Sequence, residues 1–323
     1  MATKRVVVTG GTGAVGSVLV RRLVSDRHEV HLLVRPGHDP WRLRDLADRV
    51  RFHVVDLADL AATTTLLAAI GPERVFSLAA CGSYSWQSDL SEMIRTNVVA
   101  TSNLMQAALA SGFEAFVHTG SSSEYGFKGH PPTEQEWLEP NSYYAVSKAA
   151  ATLLCRYAAQ RHRAHVTVLR LYTVYGPFED PRRLVPTLIV RGLGGGLPPL
   201  VAPEIARDMV FVDDVVAAYL KAADRTTGEI GAVYNVGSGS QTTIREIVDV
   251  ARRVLGVAEQ PAWGSMPDRG WDTGRWVAAT DRIRADLGWT ATVPFEPGFR
   301  ATVEWLRSHP ELLSLYRARL GGR

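Results

Sequence analysis

The stretch Val6-Val7-Val8-Thr9-Gly10-Gly11-Thr12-Gly13-Ala14-Val15-Gly16 carries an apolar strand into a glycine-rich turn, and an amphipathic helix follows at once. Three of its glycines have the spacing G-x-x-G-x-x-G. Glycine permits a tight turn, removes bulk where a pyrophosphate must approach, and lets the helix pack closely on the strand. The helix N-terminus adds N–H groups and a positive dipole end, which suit phosphates. The predicted dinucleotide contacts are Gly10, Gly13, Ala14, Val15 and Gly16.

The same alternation of strand and helix continues through the first half of the chain. Apolar runs predict strands at Arg5–Thr9, Glu29–Val34, Arg51–Val55, Arg74–Leu78, Ala115–Thr119 and Val166–Leu171, and amphipathic segments predict helices at Ala14–Asp26, Leu60–Ile70, Ser91–Ser111 and Tyr144–Arg161. This pattern is typical of an α/β fold with a Rossmann doubly wound parallel sheet.

The pattern changes after about Tyr172, where Pro- and Gly-rich connections predict a smaller C-terminal α/β substrate lobe. We therefore place a dinucleotide-binding domain at residues 1–172 and mainly the substrate lobe at residues 173–323. Two segments near 211–237 are expected to return to the first domain, a helix at Asp213–Arg225 and a strand at Val233–Val236.

Composition and charge narrow the class of protein. The 323 residues are 46% hydrophobic and 21% charged, which is ordinary for a globular chain. The net charge is only +3 and basic residues are scattered in pairs, so no nucleic-acid partner is expected. Two cysteines suit neither a disulfide framework nor a metal site. Because there is no secretory pattern and no bilayer-length apolar run, we expect a cytoplasmic protein without a membrane partner.

The end of the second predicted strand bears on the choice of dinucleotide. NAD-specific Rossmann sites usually place a carboxylate there for the ribose hydroxyls. Here the strand ends Leu32-Leu33-Val34-Arg35-Pro36. A guanidinium pairs with a 2′-phosphate, so Arg35 favours NADP(H), although an arginine stacked on adenine would leave NAD(H) possible. After the third strand, Asp56 is a candidate for the adenine amine or for a helix N-cap.

A Tyr-x-x-x-Lys motif supplies the candidate acid/base group. Tyr144 and Lys148 lie at a predicted helix start, and their spacing places both side chains on one helix face. A neighbouring ammonium and an oxidised nicotinamide lower the pKa of a tyrosine toward the working pH. Tyr144 is therefore the predicted general acid/base, and a helix pair without chemistry is the alternative.

Three serines, Ser121, Ser122 and Ser123, follow the fifth predicted strand in the polar segment Gly120–Gly126. Ligands bind at this carboxyl edge in open α/β sheets. A hydroxyl there can donate to the reacting oxygen and hold it against Tyr144. Ordinary turn chemistry is the alternative.

Together these motifs resemble the extended short-chain dehydrogenases/reductases of the NAD-dependent epimerase/dehydratase family, which act on nucleotide sugars. The resemblance covers nearly the whole chain. It rests on Thr9–Gly16, Asp56-Leu57, Leu78-Ala79-Ala80, Asn97, Ser121–Gly126, Tyr144 with Lys148, Val174–Pro177, Arg207–Asp214 and Asn235–Gly239.

The resemblance implies roles for the residues around the cofactor. Ser121, rather than its two neighbours, joins Tyr144 and Lys148 as the catalytic set. Asn97 is implied to support the active-site helices. Besides the glycine turn, the cofactor contacts are Arg35, Asp56, Leu57, Leu78, Ala79, Ala80, Asn97, Tyr144 and Lys148.

The resemblance also implies a nucleotide-diphosphate sugar as substrate. Arg207 and Arg269 look like the diphosphate-binding arginines, with Asp272 matching the acid three residues after the second, and a salt bridge to Asp208 is the alternative for Arg207. Aromatic packing is the alternative to a sugar contact for Tyr84 and Trp86. A homodimer formed by the helices that start near Asn97 and Tyr144 is expected. The substrate contacts are Tyr84, Ser121, Thr173, Arg207 and Arg269.

Two departures from the family pattern narrow the reaction. Ser122 and Ser123 stand where 4,6-dehydratases carry an Asp-Glu pair, and serine is a poor general acid at neutral pH, so dehydration is not expected. Thr173 stands where the family often has Asn, which affects sugar or phosphate recognition. Hydride transfer at sugar C4 remains.

Arg35 favours an NDP-4-keto-(deoxy)hexose 4-ketoreductase that uses exchangeable NADPH. An NDP-sugar 4-epimerase with tightly bound NAD is the main alternative, and a non-sugar carbonyl is a lesser one. A non-catalytic dinucleotide-sensing protein would be expected to lack Tyr144 or Lys148.

Overall fold

Strands and helices follow one another in the predicted order. The computed structural model describes residues 3–84, 86–225, 228–267, 270 and 272–321. Its strands are β1 (Arg5–Thr9), β2 (Glu29–Val34), β3 (Arg51–Val54), β4 (Arg74–Ser77), β5 (Ala115–Ser121), β6 (Val166–Leu171), β7 (Thr173–Tyr175), β8 (Ala206–Phe211), β9 (Ala232–Val236) and β10 (Gln241–Thr243).

The helices flank these strands. They are α1 (Ala14–Ser25), α2 (Leu60–Ile70), α3 (Leu90–Ile94), α4 (Ala100–Ser111), α5 (Tyr143–His162), α6 (Leu184–Gly192), α7 (Val212–Asp224), α8 (Ile244–Leu255), α9 (Asp281–Leu287), α10 (Phe295–Ser308) and α11 (Pro310–Gly321). Short 3-10 helices cover Trp41–Arg49 and Ser122–Tyr125, and a π turn covers Arg95–Val99.

Seven strands form one parallel sheet in the order β3-β2-β1-β4-β5-β6-β9. In its centre Val6 of β1 pairs with Val30 of β2 on one side and with Arg74 of β4 on the other. Helices cover both faces, which explains why the central strands are continuous apolar runs. The predicted α/β fold with a Rossmann doubly wound sheet is confirmed.

Strand β5 is longer than the sequence pattern predicts. Gly120 and Ser121 pair in register with Arg170 and Leu171 of β6. The expected strand end at Thr119 is therefore wrong, because the neighbouring strand still offers backbone partners at that point. As a result Ser121 lies on the end of a strand rather than in a loop.

The second half of the chain adds a small sheet in the order β10-β8-β7. Strand β8 pairs in antiparallel fashion with β10 and in parallel with β7. The helix predicted at Asp213–Arg225 is α7, which packs on α1. The strand predicted at Val233–Val236 is β9, which lies beside β6 at the edge of the large sheet.

Apolar cores lie on both faces of the large sheet. On β4, Val75 joins the core with α2, α4 and α5, and Phe76 joins the core with α1 and α7, because successive strand side chains alternate. Cys155 is buried in the first of these cores, as a small hydrophobe. A third core fills the small lobe between β8, α6, α8 and α10. Within the described ranges, every helix is too short or too polar to cross a membrane.

The helix predicted at Ser91–Ser111 is interrupted by the π turn between α3 and α4. The turn widens the helix at Asn97, whose side chain is 1% exposed. Its Oδ1 accepts the N–H of Cys81 at 2.8 Å and its Nδ2 donates to the Cys81 carbonyl at 2.7 Å. This pairing with the loop after β4 explains the break in a helix that the sequence pattern shows as continuous, and π turns are frequent near functional sites.

Asp214 in the first turn of α7 provides a test of how the C-terminal segment is held. Its carboxylate accepts the N–H and Oγ1–H of Thr292 and the N–H of Val293 at 2.7 to 3.0 Å. We expect Asp214→Ala to lower the free energy of unfolding in urea by about 2–3 kcal/mol. The exposed neighbour provides a control, since Asp213→Ala should cost only about 0.5 kcal/mol. Equal losses would contradict this account.

Candidate active site

The glycine turn between β1 and α1 leaves no room for side chains. Gly10 has a φ of +68°, and a Cβ there would lie 2.5 Å from the carbonyl carbon of Leu78. A Cβ on Gly16 would lie 2.2 Å from the Gly10 carbonyl oxygen. Gly13 is the N-cap of α1 and supplies no side-chain cap, which leaves the first N–H groups of the helix for a phosphate. The turn fits a dinucleotide pyrophosphate, and the individual contacts of Gly13, Ala14 and Val15 stay predictions.

Arg35 lies just past the end of β2 and is exposed. None of the ion pairs among the described residues includes it. Burial raises the pKa of the Cys81 thiol after β4, and the Arg35 charge acts in the opposite direction. The Arg35 guanidinium therefore lies near the carboxyl ends of β2 and β4, where the ribose of a dinucleotide is expected.

Asp56 and Leu57 follow β3 at the same edge. Asp56 forms an ion pair with Arg95, and its Oδ1 accepts the N–H of Ala58 at 2.9 Å. The N-cap of α2 is Asp59, so the alternative role of Asp56 as that N-cap is wrong. The carbonyl of Leu57 accepts a hydrogen bond from Asn103 at 3.0 Å. Adenine contacts of Asp56 and Leu57 stay predictions.

The segment Leu78–Ala80 continues β4 toward the cleft. The N–H groups of Leu78 and Ala79 lie 3.2 Å from Thr9 Oγ1, which fixes the segment against the glycine turn. Leu78 and Ala79 are half-buried and Ala80 is exposed. The dinucleotide contacts of this segment stay predictions.

The loop after β4 packs directly on the helix that carries Tyr144. Gly82 has a φ of +94°, and a Cβ there would lie 3.0 Å from the Tyr144 ring. Asn97 Nδ2 donates to Ser147 Oγ on α5 at 2.8 Å, and Ser147 Oγ donates to the Tyr144 carbonyl at 2.8 Å. Asn97 therefore connects this loop to α5, which agrees with its implied supporting role.

Ser121 occupies the end of β5 and is 9% exposed. Its Oγ lies 2.8 Å from Ser123 Oγ and accepts the Ser123 N–H at 3.2 Å. Its side chain also lies close enough to the Tyr144 hydroxyl to lower the pKa of that group. The structure therefore brings Ser121 and Tyr144 together, as the sequence predicts for the catalytic set.

Burial dominates the electrostatics of Tyr144 and Lys148. It raises the pKa of Tyr144 to about 12, and the Ser121 side chain acts in the opposite direction. It lowers the pKa of Lys148 to about 8, and the Glu124 charge opposes that shift. The Lys148 ammonium donates to the Thr119 carbonyl. The lowering of the Tyr144 pKa by Lys148 together with an oxidised cofactor stays a prediction, and in the protein without a cofactor Tyr144 is protonated.

Aromatic side chains cover one side of the cleft. The rings of Tyr84 and Trp86 stack with centroids 4.6 Å apart. The guanidinium of Arg182, from the residues before α6, lies 3.7 Å from the Trp86 ring centroid. The stack joins the loop after β4 to the segment before α6 by packing, which is the alternative that the sequence left open. A sugar contact of Tyr84 stays a prediction.

Arg207 on β8 is paired with Asp272 and also donates to the Ala206 carbonyl at 2.7 Å. The alternative pairing with Asp208 is wrong, because the Asp208 carboxylate accepts the backbone N–H groups of Ser238, Gly239 and Ala278.

The other two residues predicted for the substrate side give less geometry. Arg269 lies outside the described residues. Thr173 opens β7, pairs with Met209 of β8 and is half-buried. Their substrate contacts, like that of Arg207, stay predictions.

A small pocket adjoins Ser122, next to Ser121. The Tyr172 hydroxyl is buried there without a hydrogen-bond partner among the residues that the structure describes, and the Trp276 ring meets the Tyr172 ring edge-on at 6.4 Å. Sequence reasoning missed both aromatic residues. The position of Tyr172 just past β6 was a usable signal, whereas Trp276 comes from a distant Gly-rich segment that carries none. The pocket is lined by Ser122, Tyr125, Gly126, Lys128, His130, Pro132, Tyr172, Arg275, Trp276 and Val277.

Comparison with known proteins gives consistent matches along the chain. The family model of the NAD dependent epimerase/dehydratase family matches residues 6–237. A dTDP-glucose 4,6-dehydratase from Streptomyces griseus is 32% identical over 322 residues, which cover 95% of both chains. A UDP-glucose 4-epimerase from Mycolicibacterium smegmatis is 33% identical, covering 94% of this chain and 99% of the relative. The structure of MoeE5 in complex with UDP-glucuronic acid and NAD has a TM-score of 0.82 at 32% identity, covering 94% and 99%.

The parallel sheet, the glycine turn and the Tyr144–Lys148 helix together define an extended short-chain dehydrogenase/reductase. The chain belongs to the NAD dependent epimerase/dehydratase family. The resemblance drawn from the sequence motifs is thereby confirmed.

Replacing the proton donor tests the assignment of Tyr144. We expect Tyr144→Phe to lower kcat with a nucleotide 4-keto sugar by about 100-fold or more, because the ring stays and only the acidic proton is lost. Its affinity for NADPH, measured by fluorescence titration, should stay close to that of the wild type. The adjacent exposed residue offers a matched control, and Tyr143→Phe should leave both values nearly unchanged. Comparable turnover in the two variants would refute the assignment.

Proposed function

We propose that this protein is an NADP(H)-dependent 4-ketoreductase of nucleotide-diphosphate hexoses. The proposal rests mainly on Arg35, which stands at the position where NAD-specific sites have a carboxylate. Its guanidinium has no ion-pair partner among the described residues. A 2′-phosphate would supply the missing counter-charge. A reductase needs a cofactor that exchanges after each turnover, and NADPH serves reductions of this kind.

The acid/base residues fit reduction of a ketone. A bound NADPH supplies the hydride that the C4 carbonyl carbon accepts. Tyr144, held protonated by its buried setting, donates its proton to the C4 oxygen, so that the carbonyl becomes a secondary alcohol. Ser121 donates a hydrogen bond to the same oxygen and keeps it beside Tyr144. Lys148 lies one turn further along α5 and compensates the tyrosinate that remains.

The proposed substrate carries a nucleoside diphosphate. The relatives are enzymes of UDP- and dTDP-sugars by name, and Arg207 on the small sheet offers a guanidinium for the diphosphate, as does Arg269 by its position in the sequence. The hexose would lie in the cleft beside Ser121 and Tyr144. Ser122 and Ser123 offer hydroxyls but no carboxylic acid for elimination, which supports simple hydride transfer over dehydration.

A 4-epimerase with tightly bound NAD is the second candidate. The observation that favours it is the Mycolicibacterium smegmatis relative, a UDP-glucose 4-epimerase that is 33% identical over nearly the whole chain. An epimerase uses the same three catalytic groups, first to oxidise C4 and then to reduce the opposite face. The two candidates differ in whether hydride leaves the protein with the product.

The retained cofactor and the products distinguish the two candidates. Protein purified without added nucleotide is denatured, and the released dinucleotide is identified by mass spectrometry. Fresh protein is then given NADPH with a dTDP-4-keto-6-deoxyhexose, or a UDP-hexose with no added cofactor. Stoichiometric loss of NADPH with formation of the alcohol supports the reductase. Retained NAD together with interconversion of the UDP-hexose would replace it with the epimerase.

The charge of residue 35 should control cofactor preference. We expect Arg35→Asp to change the ratio of kcat/KM for NADPH over NADH by about 100-fold toward NADH, because a phosphate contact becomes a repulsion. Arg44→Asp makes the same charge change at an exposed position on the neighbouring 3-10 helix, and there the ratio should hardly move. An unchanged ratio in the Arg35 variant would contradict the proposed contact between Arg35 and the 2′-phosphate.

We also propose a homodimer built on α5, in line with the sequence expectation. Four apolar or aromatic side chains form an exposed stripe along this helix, and they are Tyr143, Val146, Leu153 and Tyr157. Ile94 and Val99 are exposed beside it, at the end of α3 and in the π turn. An apolar stripe of this kind on a helix suits a second copy packed helix against helix.

A charge placed in the stripe should separate the dimer. We expect Leu153→Glu to be monomeric by light scattering where the wild type is dimeric, because a carboxylate would be buried against an apolar partner. Leu60→Glu on α2 is the matched control, since Leu60 is similarly exposed but lies outside the stripe. A dimeric Leu153 variant, or a monomeric wild type, would contradict the proposed interface.

A further inference from the structure

Glu124 lies in the 3-10 turn that follows β5 and is fully buried. Its carboxylate accepts the backbone N–H of Ser121 at 2.8 Å, the hydroxyl of Thr152 at 3.0 Å and Nε of Arg170 at 2.8 Å. These donors come from β5, α5 and β6. One carboxylate thus connects the strand of Ser121 to the helix of Tyr144 and Lys148.

The hydrogen-bond network continues from Arg170 toward the substrate lobe. Arg170 Nη1 donates to the Tyr125 hydroxyl at 2.8 Å, and that hydroxyl donates to Asn235 Oδ1 at 2.7 Å. Asn235 Nδ2 then donates to the Ala279 carbonyl at 3.2 Å. Since Tyr125 itself lines the pocket beside Ser122, the network runs from the backbone of the catalytic serine to the wall of that pocket.

The Glu124 charge also acts on the acid/base pair. Burial raises the pKa of Tyr144 and lowers that of Lys148, and the Glu124 charge raises both pKa values. In a buried setting such a fixed charge is weakly screened. Several titratable and charged groups act on the pair, and they are His118 on β5, Glu124 on the 3-10 turn, Cys155 on α5, Tyr219 on α7, Tyr84 after β4 and Arg183 before α6. Arg170 on β6 and Tyr125 on the 3-10 turn act on Glu124.

We infer that Glu124 is a positioning residue for the reaction, which holds Ser121 against α5 and supplies the negative charge that the Tyr144–Lys148 pair works against. The inference rests on the proposed function for its kinetic test only. It adds to the catalytic set a group that touches neither substrate nor cofactor. A merely structural ion pair would stabilise the fold without setting the acidity of Tyr144.

Glu124→Gln keeps the side-chain shape and removes the charge. Without that charge Tyr144 loses its proton at lower pH, so the alkaline limb of kcat/KM for ketone reduction should move toward acid by about half a pH unit or more. Glu124→Asp keeps the charge on a shorter side chain. In this variant the alkaline limb of the kcat/KM profile should lie close to its wild-type position, even if kcat is low. Thermal unfolding and NADPH titration confirm that each variant is folded.

Glu134 provides the matched control. It is a second buried carboxylate near Arg170, and it accepts the backbone N–H of Asn235 at 2.8 Å instead of contacting Ser121 or α5. Glu134→Gln should therefore leave the alkaline limb of the kcat/KM profile at its wild-type pH, even if the variant is less stable. Equal movement of the limb in both variants, or in neither, overturns the inference.

A measurement without substrate keeps the inference separate from the proposed function. The ring-carbon NMR signal of isotope-labelled Tyr144, assigned by its loss in Tyr144→Phe, is titrated with NADP bound. If no nucleotide sugar is turned over but Glu124→Gln still lowers the Tyr144 pKa, the proposed function fails and the inference stands. If the wild type reduces the ketone and Glu124→Gln changes neither titration nor pH profile, the inference fails and the proposed function stands.

Discussion

All seven strands of the large sheet run in the same direction, and this constraint places each loop that follows a strand at one edge. Gly10 follows β1, Arg35 follows β2, Leu78 follows β4 and Ser121 ends β5, so residues that are far apart in the chain open on one cleft. An antiparallel neighbour would send its loop to the opposite edge. The small sheet then needs only to cover this edge to complete a site between the two lobes.

Exclusion of water shapes the chemistry inside that cleft. Burial raises the pKa of Tyr144 and lowers the pKa of Lys148, and both shifts favour the neutral form of the side chain. A charge placed nearby then has more effect than it would at the surface, because few water molecules screen it. The buried carboxylate of Glu124 therefore does more than join β5 to its neighbours, because its charge also raises the pKa values of Tyr144 and Lys148. The Tyr84 hydroxyl likewise raises the pKa of Tyr144.

Local spacing accounts for what could be predicted from the sequence. The glycine turn and the Tyr144–Lys148 pair each span only a few residues, and the strands are recognisable as apolar runs. The fold and the edge of the sheet that carries the site could therefore be predicted from local patterns. Glu124 and Arg170 are 46 positions apart, and their pairing depends on strand order and on a turn after β5. Arg207 was expected to bind the diphosphate, with a salt bridge to Asp208 as the alternative, and the structure pairs it with Asp272. Long-range partners of this kind leave no local pattern.

The buried Glu124–Arg170 pair also restricts how the sequence can drift over generations. Loss of either partner alone leaves the other charge unpaired in the interior, at a cost of about 3–5 kcal/mol. Each position thus depends on the residue present at the other, and a lineage can abandon the pair only by a double change or after gaining stability elsewhere. Among descendants of one ancestral gene, the two positions should be inherited as a unit, while the exposed residues around the cleft vary independently.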